Sequence, residues 1–148
     1  MINIMRAPNP CLSVACNEIL DPNSKKVTEC IKSLRNYLTV NKRVQGLAAP
    51  QIGYILSIML VRYKDGVIRC CLNPIIEWKF GHKDSNEGCE SVEGRYIVKR
   101  PLIMKVSYFD EQGKEFHEIL TYRKARVFEH EYHHLCGILI SDIGKRCE

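Results

Sequence analysis

No run of apolar residues in this chain approaches the roughly 18 that a membrane-crossing helix needs. The opening Met1-Ile2-Asn3-Ile4-Met5-Arg6 leads straight into Ala7-Pro8-Asn9-Pro10, with no apolar core and no small-residue cleavage site. It reads as neither a signal peptide nor a transit sequence, so a cytoplasmic location is expected. There is no internal repeat, no low-complexity tract and no linker. The 148 residues suffice for one domain with a real core, expected to span 1–148, and are too few for two. Charge of one sign is not concentrated either. The 22 basic and 17 acidic side chains are spread along the chain, and the net charge of +5 reads as a solvated surface. Arg123-Lys124-Ala125-Arg126 is the densest basic run, and Lys99-Arg100 is a basic pair. They leave weak attraction to ribosomal RNA open and give no reason to expect DNA binding.

Cysteine, by contrast, is plentiful: 8 residues, at 11, 16, 30, 70, 71, 89, 136 and 147. Without an export signal, free thiols are expected rather than disulfides. Cys70 and Cys71 adjoin in an apolar run and would point to opposite faces of a strand, as core residues. Cys11 and Cys16 lack a second pair and nearby histidines, which argues against a structural zinc knuckle. Cys89 has a different setting.

Asp21-Pro22-Asn23-Ser24 offers helix caps, and Val27, Ile31, Leu34 and Leu38 recur at helical spacing, predicting a helix over about 24–38. Residues 46–53 are punctuated by Gly and Pro and predict an ordered loop. Ile55 to Tyr63 predicts a strand, Lys64-Asp65-Gly66 a hairpin turn, and Val67 to Leu72 the returning strand, with Ile75 to Phe80 extending the sheet. Ile103 to Phe109 and Lys114 to Leu120 predict a second hairpin. A helix over 122–135 follows, with Thr121 as its cap and Gly137 as its stop. Strands with a helix near each end make the expected class α+β rather than regular βαβ alternation.

The last helix carries His130-Glu131-Tyr132-His133-His134. His130 and His134 lie one turn apart on one face, where both rings can bind one metal, and Glu131 sits one step round, within reach of a bound water. A metal site of this kind needs a third ligand and an open position. Zinc proteases with this motif take theirs from downstream. Here the residues after His134 offer only Asp142 and Glu148 as oxygen donors, so the third ligand is expected upstream.

Upstream lie Gly46-Leu47-Ala48-Ala49-Pro50-Gln51 and Glu87-Gly88-Cys89-Glu90-Ser91. With His130 to His134 and the following Leu135-Cys136-Gly137, they resemble in order and separation the three motifs of peptide deformylases. The Pro-x-Pro opening, Val98-Lys99-Arg100-Pro101 and Ala125-Arg126-Val127-Phe128 also resemble family stretches, so the similarity covers nearly the whole chain. The resemblance implies antiparallel or mixed β-sheets packed around a central C-terminal helix bearing HExxH, plus an N-terminal helix. It implies hydrolysis of N-formylmethionyl nascent peptides to formate and a free amino terminus. Cys89, His130 and His134 become the metal ligands, with Fe(II) expected and Zn, Ni or Co able to replace it. Glu131 becomes general base and acid, taking a proton from the activated water and passing it to the departing amine. Gln51 and the backbone N–H of Glu90 become oxyanion donors. Gly46 and Leu47 become substrate-binding residues, with Leu47 and Val127 expected to line the methionine pocket. Glu87 and Arg100 resemble a pair that steadies the cysteine loop. A monomer with at most transient ribosome contact is expected.

The chain departs from the family pattern at Val44, where a glycine is usual, and at Glu90, where bacterial enzymes carry leucine. Glu129 stands for a glutamine and His133 for an aspartate; His133 is expected beside the ligands rather than among them. The further C-terminal helix of many bacterial members has no counterpart, suggesting a compact form, from a phage, an organelle or a divergent bacterium. Three other readings stay open: a weakened deformylase homologue, an HExxH metallopeptidase, and a non-catalytic zinc-stabilised binding module.

Overall fold

The computed structural model describes residues 2–147. Ser24 accepts a hydrogen bond from the Val27 N–H and opens helix α1, Lys25–Val40. Val27, Cys30, Ile31, Leu34 and Leu38 form its buried stripe. The helix ends where Asn41 returns its backbone N–H and its side-chain amide to the Tyr37 carbonyl.

Strands β1 (Gly46–Ala48), β2 (Ile58–Arg62), β3 (Ile68–Cys89), β4 (Val92–Phe109) and β5 (Glu115–Thr121) pair antiparallel in that order. A last strand, β6 (Lys145–Cys147), joins β4 at Arg95–Ile97, beyond the end of β5. Where antiparallel or mixed sheets were expected, the described residues form one antiparallel sheet. The parallel contact is an isolated bridge between Asn17 and Leu56. Register shifts after Leu72, Ile76 and Glu87 are bulges that bend β3. Two strands are far longer than their apolar segments predict: β3 runs through polar residues 81–89, and β4 starts at Val92 instead of Ile103. The expected loop at 46–53 is β1 followed by the 3-10 turn Ala49–Ile52, because residues 46–48 pair with Met59 to Val61.

The sheet separates two apolar clusters by simple alternation. Ile58, Leu60 and Cys70 face α1, while Met59, Val61 and Cys71 face the opposite side, with Val106 and Leu120. Helix α2, Tyr122–Leu135, closes that second side through Ala125, Val127, Phe128 and Leu135. Thr121 precedes it without a side-chain cap bond. Gly137 follows with φ +75°, and a Cβ there would meet the Ser13 and Val14 backbone at 2.7 Å. A short helix α3, Ile140–Ile143, then packs with Leu12, Val92 and Val98 in a third cluster. No helix is long and apolar enough to cross a membrane.

Candidate metal centre

The longest hairpin and the second helix bring the candidate ligands together. Cys89 ends β3 at the two-residue turn Glu90–Ser91, while His130 and His134 stand one turn apart on α2. One ligand atom from each lies within 4.8 Å of the others. The Cys89 Sγ is 3.4 Å from His134 Nε2. His130 Nδ1 lies 2.8 Å from Glu87 Oε1, which fixes the proton on Nδ1 and leaves Nε2 for a metal. His134 Nδ1 is buried with no partner among the described residues. A thiol and two imidazoles suit a divalent first-row cation and leave a position open toward the adjoining cavity.

Behind this set lies a buried polar network. Arg100, 1% exposed, grips Glu87 through Nε and Nη2, each at 2.8 Å, and Glu129 through Nη1 at 3.0 Å. The same Nη1 lies 3.0 Å from His133 Nδ1, and the second Glu129 oxygen accepts from Lys79 at 2.9 Å. His133 thus belongs to the arginine network, outside the ligand set. Burial opposes the Glu87 charge, but bonds from Arg100 and His130 outweigh it and hold the carboxyl down to about 2. Burial disfavours a charged His130 too, yet hydrogen bonds to Cys89 and Glu87 raise it to about 10. His134 has no carboxylate beside it, and burial, followed by the neighbouring His130, His133 and Arg100, pushes it well below its ordinary value.

Glu131 projects into a cavity of about 460 Å3 also lined by Val44, Gly46, Gln51, Cys89 and Val127. Burial raises its carboxyl to about 7, and its Oε1 has no partner among the described residues. Such a group can take and return a proton near neutrality. Gly46 is required by this arrangement: a Cβ there would lie 2.7 Å from Glu131 Cγ and 2.8 Å from Oε2.

Gln51 is buried on the 3-10 turn, its orientation set at both ends. Oε1 accepts from the Ala48 N–H at 3.0 Å, while Nε2 donates to Ser91 Oγ at 3.1 Å and faces Cys89 Sγ at 3.8 Å. The Glu90 backbone N–H has no intramolecular partner among the described residues. The Glu90 carboxylate stands beside the Tyr37 hydroxyl, which burial and that carboxylate together raise. Leu47 departs from expectation. Strand alternation turns it into the α1 cluster, fully buried, and it does not line the cavity; Val44 and Val127 do.

Sequence reasoning passed over Arg62 and Ser91. Arg62 donates to the carbonyls of Leu38, Asn41 and Val44 and fastens the segment leading to Gly46. Only a basic residue at a strand end with no acidic neighbour hinted at it. Ser91 fixes Gln51, and in the sequence only its place in the Glu87–Ser91 motif marks it. The cavity's arginines, Arg43, Arg95 and Arg126, carried no signal beyond the dense run at 123–126.

A family profile described as polypeptide deformylase matches residues 1–148. The chain is 42% identical over 100 residues to the peptide deformylase of Pseudothermotoga lettingae, a match spanning 66% of this chain and 57% of that protein. It is 32% identical over 143 residues to peptide deformylase 1 of Bacillus cereus, covering 95% of this chain and 90% of the relative. The crystal structure of the peptide deformylase from Thermotoga maritima superposes with a TM-score of 0.89 at 28% identity, covering 97% of each chain.

Proposed function

This chain belongs to the peptide deformylase family, metal-dependent hydrolases acting on N-formylmethionyl peptides, and we propose that residues 1–148 form one catalytic domain in which Cys89, His130 and His134 hold the metal and Glu131 carries the proton. The reaction consumes formyl-Met-peptide and water and yields formate and the free-amino peptide. A divalent cation bound there supplies Lewis acidity and a water of lowered pKa. Fe(II) is the expected ion, with zinc, nickel or cobalt as replacements.

Glu131 accepts the water's proton and delivers it to the departing amine. Its burial, its shifted carboxyl and its unpartnered Oε1 support that role. Gln51 Nε2 and the Glu90 N–H donate to the oxygen on which charge develops, and both stand at the cavity wall that Cys89 shares. Gly46 presents its backbone to the substrate, with the methionine side chain against Val44 and Val127. Arg100 positions the site by holding Glu87 against His130. One chain supplies every group named, which is consistent with a monomer.

The convergence of three ligand atoms within 4.8 Å, with Glu131 on the same cavity, carries this reading. It is tested by formate release from formyl-Met-Ala-Ser by protein loaded anaerobically with Fe(II) or Ni(II). Glu131→Gln should lose about a thousandfold in kcat with metal retained, and Cys89→Ala should lose metal and activity together. Peptide-bond cleavage indifferent to the formyl group would overturn it.

A further inference from the structure

The free thiols are spread unevenly over the fold. Cys30, Cys70 and Cys71 are buried in the two main apolar clusters, out of reach of solutes. Cys89 stands at the candidate metal centre. Cys147 lies on β6, beside Arg95 of β4. The remaining three, Cys11, Cys16 and Cys136, gather where the N-terminal segment passes the end of α2. Cys136 is exposed, whereas Cys11 and Cys16 are half-buried.

The chain is held tightly at this point. The Cys16 N–H donates to the Leu135 carbonyl at 2.9 Å. That oxygen and the Cys136 α-carbon belong to one planar peptide unit, so standard bond lengths keep the α-carbons of Cys16 and Cys136 within about 7 Å. On the other side of Cys136, Gly137 lies so close to the Ser13 and Val14 backbone that a Cβ would meet it at 2.7 Å. Contacts on both sides of Cys136 thus fix the spacing of the two residues. Disulfides form at α-carbon separations of about 4.4–6.8 Å, so closure asks for little backbone movement. Burial pushes the Cys16 thiol up to about 11, with Cys136 and then Cys11 adding to it. Cys16 is therefore a poor first target for an oxidant, and the exposed Cys136 reacts before it. Cys11 is engaged elsewhere: its Sγ donates to the Pro50 carbonyl at 3.3 Å.

We propose that Cys16 and Cys136 form a redox modification site, which hydroperoxides convert to a reversible disulfide joining the N-terminal segment to the end of α2. The Cys136 sulfur attacks the O–O bond of hydrogen peroxide, giving a sulfenic acid and one water. The Cys16 sulfur then displaces hydroxide from the sulfenic sulfur, and that hydroxide leaves with the thiol proton as a second water. The thiol pair gives up two electrons and the peroxide takes them; a reduced dithiol restores both thiols. The new bond closes a loop containing β1 to β5, α1 and α2, and so restricts the unfolded chain strongly. It also pins the last turn of α2, where His134 stands. The site stands apart from the deformylase reading, because neither thiol is a ligand or lines the metal cavity.

The test treats the folded protein with hydrogen peroxide, caps the remaining thiols with N-ethylmaleimide in denaturant, and maps the digest. A peptide linking Cys16 to Cys136 should appear, lighter than its two parts by two hydrogens. The oxidised chain should migrate faster on a non-reducing gel, and dithiothreitol should reverse the change. Tm should rise by about 10 °C over the reduced form, as closing so long a loop implies. Cys16→Ser and Cys136→Ser should each abolish both the faster migration and the rise. Linkage through another cysteine, dimers joined through Cys136, Cys136 carried to sulfinic acid with Cys16 still free, or an unchanged thiol count would each overturn the pair. A linked form no more heat-resistant than the reduced one would overturn its stapling of the fold. Formate release from formyl-Met-Ala-Ser is read separately, so a failure there touches the deformylase reading alone.

Discussion

At Gly46, the missing side chain leaves room for Glu131 rather than rewarding backbone freedom. A methyl group at this position would overlap Glu131 Cγ, Cδ and Oε2, all within 2.9 Å. The carboxylate end can swing, so Gly46→Ala should fold, but the displaced Glu131 would no longer meet its proton donor. Misplacement by about 1 Å can cost about a hundredfold in rate. The expected outcome is a kcat lowered to that degree with a thermal midpoint within a few degrees of the parent. Unchanged kcat would mean that Glu131 works from another position. His130 supports a second residue-scale prediction. Burial disfavours its charge, yet bonds to Cys89 and Glu87 raise it to about 10. The imidazole therefore carries a second proton, on Nε2, across the neutral range, and a metal there must expel it while Nδ1–H stays on Glu87. Metal affinity should tighten as pH rises toward that value. Calorimetry in buffers of different ionisation enthalpy should register proton release at pH 7; buffer-independent heats would contradict it.

Among the elements, helix α2 and the β3–β4 hairpin differ in how plainly the sequence announces them. The apolar stripe of α1 and the short hairpins follow from periodicity and turn residues. The outer half of β3 does not, because the inward positions nearest the site are Ser85 and Glu87, and β4 answers with Arg100. Residues 77–84 are exposed throughout, and where burial resumes at Ser85 and Glu87 chemistry replaces hydrophobicity, so a search for apolar alternation stops short. For the same reason HExxH and EGC mark the candidate ligands, whereas motif membership does not tell that the Leu47 side chain takes the α1 face of β1. The arginine network adds something that the motifs alone could not. Where the family usually has glutamine and aspartate, this chain has Glu129 and His133, both on Arg100 Nη1 at 3.0 Å. The exchange keeps one carboxylate opposite the guanidinium. Glu129→Gln alone should leave Arg100 and Lys79 short of charge, and His133→Asp alone should crowd a second carboxylate against Glu129. The double variant should recover, with a coupling of about 1–3 kcal/mol in urea unfolding. Additive losses would show that the two positions are independent.

Across the whole molecule, the candidate centre sits where three apolar clusters meet. Leu47, Ala49 and Ile52 belong to the α1 cluster, Ala48, Val127 and Phe128 to the α2 cluster, and Cys89 packs against the cluster of Leu12, Val92 and Ile140. Cys89 lies at the tip of a hairpin whose outer part is largely exposed, whereas His130 and His134 ride on a helix fixed by Phe128 and Leu135. A cation shared by the three therefore ties the hairpin tip, which packs in the cluster of Leu12, Val92 and Ile140, to a helix that packs in another. A ligand that binds only the folded state at a hundred times its dissociation constant stabilises by about 2.7 kcal/mol. For a chain of this size that is about 5–10 °C in Tm. Chelation should lower Tm by that amount, and Cys89→Ala should abolish the metal-dependent part of the shift. The loss should also be local. Amide exchange should accelerate at 86–92 and in the last turn of α2, while α1, which packs through its own cluster and supplies no ligand, stays protected. Uniform acceleration would mean that the ion supports the global fold, and an unchanged Tm after verified metal removal would mean that the polar network and the three clusters hold hairpin tip and helix together without it.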